Sequence, residues 1–523
     1  MTLGRLASTP FRVGDSLAEL PLHDTDSSRL YETAALKQAD GGSLMAKAGA
    51  AVARWVLALH PHARRVWVAA GPGGNGGDGV HAAAHLARMG LQVSVTLFGD
   101  LPASRADIAQ GLEAARPAGV QFVEGVPPAG CDVTVDAVLG LGARRAPSGR
   151  VAEAIGALNG TGVPCLSVDL PSGLNGSTGA LLGDVCVRAQ ATLSLVTLKP
   201  GLFTAHGRDC AGEIWFQPLV GDPDGCPPPA AWLSSRATCA KARPTRRHSQ
   251  HKGSFGDVVL VGADRGMAGA LRLAAEATLR AGAGRTILSP LDPALPLWDG
   301  VRPEWLWRSQ AWNAHDGSLE RSTVVCGCGG GPAVREPLPA LLSRSARLVL
   351  DADALNAIAA DEGLLRQLRA RSDRSAPTVL TPHPLEAARL LGTTVDEVQH
   401  DRFSAALTLV ERTRCVVVLK GSGTLIASPG HAPVVNPTGH AGLGSGGTGD
   451  VLAGWIGGLW SASMADRSET DAAGSEPQVA LHLARQVAAA AVWQHGHAAD
   501  LRPGQAVLAG ELAHDMAQAM AGN

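Results

Sequence analysis

Aromatic side chains make up only 4% of this 523-residue chain, with a single Tyr. Lysine is scarce too: Lys37, Lys47, Lys199, Lys241, Lys252 and Lys420 stand alone among basic residues that are otherwise Arg. The 9 cysteines are scattered, odd in number and form no C-x-x-C pair. Neither a disulfide framework nor a zinc site is indicated. No apolar run reaches the ~18 residues of a membrane span. The first residues, MTLGRLASTPFRVGD, lack the apolar core of a signal peptide, so the expected location is cytoplasmic. Net charge is also lacking, with Lys+Arg 45 against Asp+Glu 47, a formal -2. With no long basic run either, no nucleic-acid partner and no membrane surface are expected.

What is present is apolar surface and glycine. Hydrophobic residues are 45%, charged residues 18%, and Gly numbers 64. That is enough to fill cores, and a single core stops growing at ~250–300 residues, so two domains are expected. In the first half, Arg65–Ala70, Gln92–Phe98, Asp132–Asp136, Val163–Val168 and Ala191–Leu198 read as strands, and a helix is predicted from about Val80 to Met89. Strands separated by helices of this length predict a parallel, doubly wound sheet. The pattern breaks in the Pro/Gly-dense stretch 221–229 and the basic segment 241–247. The boundary is placed between about 222 and 246, giving a domain over 1–225, a linker over 226–245 and a second domain over 246–523. The second half restarts with the strand Asp257–Gly262 and a helix over Ala268–Ala281. Later strands are Arg347–Asp351, Thr378–Leu380 and Cys415–Leu419, and a mobile surface loop is expected over 462–477.

Four strand ends of the first half carry chemistry. The run Gly71-Pro72-Gly73-Gly74-Asn75-Gly76-Gly77-Asp78-Gly79 lies between a strand and a helix, where backbone N–H groups and the helix dipole suit a phosphate. The plain alternative is a tight turn with Asp78 as N-cap. Asp136 and Ser172 end two further strands. With Asn75 they offer oxygen ligands to a hard cation, and the absence of nitrogen or sulfur ligands excludes zinc. Lys199 ends another strand, as a phosphate or proton-transfer group or as a solvated charge. Residues 29–220 resemble the NAD(P)H-hydrate epimerase domain of the YjeF family. The resemblance rests on Leu44-Met45 with Ala48-Gly49, the Asn75–Gly79 loop, Asp136–Gly142 and Val168–Gly173. It implies a Rossmann-like domain with potassium on Asn75, Asp136 and Ser172. It also implies substrate contact at Gly74, Asn75, Gly76, Gly77, Asp78, Gly140, Leu141, Gly142, Ala143, Arg144, Arg145, Ala146 and Asp169. The resemblance places Asp169 against the substrate, which makes it the better acid–base candidate, ahead of Lys199. Where the family has Asn-Asn-Gly-Gly-Asp, this chain has Gly74-Asn75-Gly76-Gly77-Asp78.

In the second half the strongest signal is the run Asn436 to Gly454, in which Gly446-Gly447-Thr448-Gly449-Asp450 leads into an apolar helix starting near Asp450. Backbone N–H groups of 446–449 form a cup for a transferring phosphoryl group, and Asp450 can accept a proton from a substrate hydroxyl. Lys420-Gly421-Ser422-Gly423-Thr424 is a strand end suited to a nucleotide, and Asp351 and Asp353 end another strand. His383, between Pro382 and Pro384, is either a capping histidine or a substrate contact. About 245–520 resembles the ADP/ATP-dependent NAD(P)H-hydrate dehydratases of the ribokinase-like superfamily. The matching segments include Met267–Ala270, Asp351–Asn356, Thr381–Glu386, Lys420–Thr424 and Gly446–Asp450. The resemblance implies substrate contact at Ala270, Gly329, His383 and Asp450, with Asp450 catalytic. Nucleotide contact is implied at Lys420, Gly421, Ser422, Gly423, Thr424 and Gly449. The family's Gly-Pro-Gly-Leu-Gly stands here as Gly327-Cys328-Gly329-Gly330-Gly331, and Leu385 replaces a Gly.

Together the halves resemble the bifunctional NAD(P)H-hydrate repair enzymes. The fold expectation is therefore α/β with two doubly wound domains, Rossmann-like and then ribokinase-like. The resemblance implies NADHX and NADPHX as substrates, ADP as co-substrate with Mg2+, K+ in the first domain, and a homo-oligomer. The alternative is a ribokinase-like kinase of a small alcohol with a regulatory N-terminal domain.

Overall fold

The computed structural model describes residues 9–38, 43–100, 105–125, 130–221, 223, 225–240, 242, 245–465 and 477–521. They form two compact units, Met1–Ser16 with Leu20–Trp232, and Leu17–Glu19 with Leu233–Asn523. Within 226–245 the chain makes the strand Ala231–Leu233 and the helix Arg236–Ala240.

The sheet of the first unit runs, edge to edge, Phe11–Arg12, Glu213–Gln217, Ala191–Leu195, Cys165–Val168, Val133–Ala137, Arg65–Ala70, Gln92–Leu97, Gln121–Val123. All neighbours are parallel except the first pair. Side chains of Arg65–Ala70 alternate between two cores: Val66, Val68 and Ala70 on one face, Trp67 and Ala69 on the other. Burial on both faces is why this strand reads as a continuous apolar run. The chain leaves Arg65–Ala70 in one direction along the sheet and returns to its other side at Val133–Ala137. The crevice where strand order reverses therefore lies between their carboxyl ends.

The strands of the second unit from 257 onward follow the same logic. Leu306–Trp307, Arg285–Pro290, Asp257–Gly262, Thr323–Cys326, Arg347–Leu350, Thr378–Leu380 and Val416–Leu419 lie side by side and parallel. The hairpin Leu425–Ser428 and His431–Val435 then adds antiparallel. The reversal point falls between Asp257–Gly262 and Thr323–Cys326.

The strand expected over Ala191–Leu198 ends at Leu195, and both helix starts at the glycine runs differ. The glycine run is not a loop up to Val80: the helix spans Gly74–Arg88. Gly76, Gly77 and Gly79 stand in its first turns, where close packing leaves no room for side chains. The second helix begins at Thr448, not Asp450, and ends at Ser463. Of the expected loop over 462–477, residues 466–476 lie outside the described residues.

The helix Thr448–Ser463 is seated by its glycines. A Cβ on Gly454 would lie 2.1 Å from the Ala274 carbonyl oxygen, and one on Gly458 2.2 Å from that of Thr278. Both oxygens belong to the backbone of the helix Ala268–Arg280 and cannot step aside. Gly454→Ala should therefore destabilise the second unit by about 1–3 kcal/mol, the usual cost of overpacking, despite the helix propensity of Ala. Urea unfolding checks this; an unchanged or raised midpoint would contradict the packing.

Candidate functional site

The carboxyl ends of Arg65–Ala70, Val133–Ala137, Cys165–Val168 and Ala191–Leu195 open onto a cavity of about 1200 Å³. Of the predicted contacts, Gly74, Asn75, Asp78, Gly140, Leu141, Gly142, Ala143 and Asp169 line it. Arg144, Arg145 and Ala146 do not; they are exposed, and Arg144 is held 2.9 Å from Asp26. Gly76 and Gly77 are also absent from the wall. A Cβ on Gly76 would meet the Gly71 oxygen at 1.9 Å, and one on Gly77 the Met45 sulfur at 2.5 Å. Their smallness serves packing.

Asp169 takes the left-handed backbone conformation, φ 67°. Its Oδ1 accepts from the Leu195 N–H at 3.1 Å and from the Lys199 ammonium. Lys199 is fully buried and also donates to the Leu195 carbonyl at 2.7 Å and towards Ser194 Oγ at 3.5 Å. Three acceptors engage its three donors. Lys199 is therefore a positioning group beneath Asp169, not a member of the cavity wall. Opposite stand groups that sequence reading missed. The helix Thr25–Gln38 brings Arg29, Glu32 and Leu36 to the cavity. Their i, i+3, i+7 spacing marks one helix face and is the only sequence signal they carry. Burial raises the Asp78 carboxyl well above its ordinary range, and Asp169 and Glu32 add to this. Burial also raises Glu32; Lys199 opposes the rise and Asp169 reinforces it.

The three predicted cation ligands lie together. Asp136 is fully buried and accepts from Ser172 Oγ (2.5 Å), the Ser172 N–H (2.8 Å), Ser167 Oγ (2.8 Å) and the Val138 N–H (3.2 Å). Burial pushes its pKa up, and these hydrogen bonds pull against it. Asn75 Nδ2 donates to the Leu139 carbonyl at 2.9 Å, whose own N–H donates to Ser172 Oγ at 2.8 Å. Asn75 Oδ1 is buried with no hydrogen-bond partner. An orphaned carbonyl oxygen beside a buried carboxylate, with no nitrogen or sulfur donor, fits a hard cation.

In the second unit the carboxyl ends of Thr323–Cys326, Arg347–Leu350, Thr378–Leu380 and Val416–Leu419 gather the other predicted set. Lys420 Nζ donates to Asp351 Oδ1 at 2.7 Å, and Thr381 Oγ1 donates to the same oxygen at 2.7 Å. A Cβ on Gly449 would lie 3.5 Å from Lys420 Nζ and 4.0 Å from Asp351 Oδ2, which brings the glycine cup to this pair. Asp450 stands in the first turn of its helix, and ligand atoms of Cys328, Asp351 and Asp450 lie within 4.8 Å of one another. Burial raises Asp450 to about 6; the Asp351 charge adds, while the Cys328 hydrogen bond and Lys420 oppose. Burial pulls the Lys420 pKa down, but Asp351 and Glu386 outweigh it, so the net shift is upward. Gly329, at φ 56°, abuts Ala270: an added Cβ would sit 3.0 Å from the Ala270 Cβ.

His383 does cap a helix. Its Nδ1 accepts from the N–H groups of Leu385 (3.1 Å) and Glu386 (3.3 Å), while Glu386 Oε2 accepts from the His383 N–H (2.8 Å). That leaves Nε2, 3.2 Å from Glu386 Oε1, as the atom with reach. Under Lys420–Thr424 the buried Arg402 donates to the Leu419 and Lys420 carbonyls, both at 3.1 Å. Sequence reading missed Arg402, because a basic residue in a helix gives no sign of burial. It missed Asp264 too, whose N–H donates to the Gly329 carbonyl at 2.8 Å. Among the described residues no helix is long and apolar enough to cross a membrane.

Two doubly wound units, each with polar side chains gathered at the carboxyl ends of its strands, define a two-site α/β enzyme class. A family model described as YjeF-related protein N-terminus matches residues 41–201, and one described as NAD(P)H-hydrate dehydratase matches 258–521. The chain is 36% identical over 432 residues to a bifunctional NAD(P)H-hydrate repair enzyme of Escherichia coli, covering 80% of each chain. It is 32% identical over 526 residues to one of Vibrio cholerae, covering 96% of this chain and 98% of that one. An ADP/ATP-dependent NAD(P)H-hydrate dehydratase from Bacillus subtilis, co-crystallised with ATP/Mg2+, is 28% identical with a TM-score of 0.42 over 53% of this chain and 94% of its own. The chain belongs to the bifunctional NAD(P)H-hydrate repair enzymes.

Proposed function

We propose that the first unit interconverts R- and S-NAD(P)HX and that the second dehydrates S-NAD(P)HX to NAD(P)H at the expense of ADP, giving AMP and phosphate. The observation that carries this reading is Asp450 at the mouth of the glycine cup, beside the Lys420–Asp351 pair. Asp450 takes the proton of the substrate hydroxyl, whose oxygen attacks the terminal phosphoryl of ADP, and AMP leaves. Phosphate then departs from the hydrated carbon as a neighbouring C–H loses its proton, and the double bond re-forms. Gly449 and Lys420–Thr424 take the nucleotide; Ala270, Gly329 and His383 face the substrate. The carboxylate of Asp351 would hold magnesium with the nucleotide, and the ion would neutralise phosphate charge there. In the first unit Asn75, Asp136 and Ser172 would hold potassium, which supplies a fixed positive charge beside the cavity.

The test is incubation with S-NADHX, ADP and magnesium while following nicotinamide absorbance. NADH recovery is expected; an accumulating phosphate ester would instead mark a kinase. The pH profile sharpens it. A base must be ionised, and Asp450 is held up at about 6. The turnover rate should be full well above that value and fall about tenfold per unit below it. A flat profile across it would remove Asp450 as the base.

A further inference from the structure

This inference rests on the reading that the first unit epimerises NAD(P)HX, and it concerns the proton transfers that reading leaves open. Water added to an enamine places the hydroxyl on the carbon attached to nitrogen. Inverting that carbon means losing the hydroxyl from one face and regaining it on the other. Each event moves a proton, so a group is needed on each side.

Asp169 cannot serve both faces alone, because its Oδ1 is committed to Lys199 and the Leu195 N–H and only one oxygen is left. Of the three other carboxyls that line the cavity, Asp107 is held 2.7 Å from the Arg105 guanidinium, which leaves Glu32 and Asp78. They come from different walls, the helices Thr25–Gln38 and Gly74–Arg88. Among the described residues neither carboxyl is engaged in a hydrogen bond or ion pair, although the arginines Arg29 and Arg105 also line the cavity. A cavity-lining carboxyl kept free of partners keeps its proton available for a ligand.

We propose that Glu32 is a proton-transfer catalyst of the epimerase, working as a pair with Asp78. The protonated member gives its proton to the leaving oxygen. The C–O bond breaks, its electron pair departs with the oxygen as water, and the nitrogen lone pair forms the C=N bond. Water then adds from the other face; its oxygen pair makes the new C–O bond, the C=N pair returns to nitrogen, and the ionised member takes the released proton. The ion-paired Asp169 faces the transient positive nitrogen. For the reverse epimerisation the two carboxyls exchange roles. Burial favours the neutral form of both.

The experiment uses the full chain without ADP, so that dehydration is idle, and follows interconversion of purified R- and S-NADHX by chromatography. Glu32→Gln should lose about 10²-fold or more in kcat in both directions while KM for NADHX stays within about threefold. Glu32→Asp should recover part of the rate. A wild-type kcat in Glu32→Gln, or a raised KM with kcat intact, would overturn the proposal. If Glu32→Gln fails to fold, Glu32→Asp decides: an unchanged kcat refutes the role, and a kcat-only loss supports it. Failure of the unmodified chain to interconvert the epimers would instead sink the epimerase reading itself.

Discussion

Asp450→Asn should still bind ADP yet lose about 10²–10⁴ in the rate of NADH recovery, roughly 3–5 kcal/mol of transition-state stabilisation. Asn keeps the size and the position in the first turn but cannot take a proton. The amide also removes a negative charge from beside Asp351, so nucleotide affinity should hold or improve. The measurement is a pair: ADP binding by calorimetry, and single-turnover NADH recovery from S-NADHX. Recovery at the wild-type rate would dismiss Asp450 as the base. Loss of ADP binding together with activity would point to a collapsed cup. The clamp of Gly454 and Gly458 on the neighbouring helix argues against collapse, because the helix carrying position 450 is fixed from below.

Asp136→Ala has the second largest expected effect, and it should divide the two activities. The substitution removes the one charged group among Asn75, Asp136 and Ser172. It also strips the acceptor from Ser167 Oγ, Ser172 Oγ and the N–H groups of Val138 and Ser172. Loss of a ligand should weaken potassium binding by roughly 10–100-fold or more. Repair of R-NADHX should slow by a similar factor, while dehydration of pure S-NADHX by the second unit should stay nearly unchanged. Each unpaired buried donor costs about 1–3 kcal/mol, so a lower melting temperature is expected as well. Asp136→Asn keeps acceptors and shape and separates the charge effect from the packing effect. The readouts are repair rates on the separated epimers, with excess dehydratase activity for R, and the melting temperature in potassium against a bulky organic cation. Equal slowing on both epimers in a folded variant would show the two activities to be coupled. No slowing on R would reduce Asp136 to a strand-end cap.

The backbone plan was legible where both faces of a strand are buried: Arg65–Ala70 and Asp257–Gly262 announce themselves as apolar runs followed by glycine. Other strands were not. Phe11–Arg12, Glu213–Gln217 and the hairpin 425–435 are short or carry polar residues, and their pairing is set by distant partners rather than by local pattern. Candidate site residues at strand ends, Asp136, Asp169, Asp351 and Lys420, were legible because a charged group closing an apolar strand is conspicuous. Glu32 and Arg402 were not, because a charged residue on a helix looks solvated until the fold shows what covers it. Lys199 was conspicuous for the same reason as Asp169, but only the structure reveals that its ammonium is consumed beneath the cavity.

Asp169 combines two demands that few side chains meet together. At φ 67° the backbone strains most residues, and besides Gly only Asn and Asp settle there readily. Asn and Gly suit the backbone but leave the Lys199 ammonium buried without its counter-charge. Glu keeps the charge but strains the backbone and misplaces the carboxylate. No single substitution satisfies both demands, so drift at this position has no neutral path. An ancestor that lost the carboxylate would have had to change residue 199 in the same step, or give up the pocket.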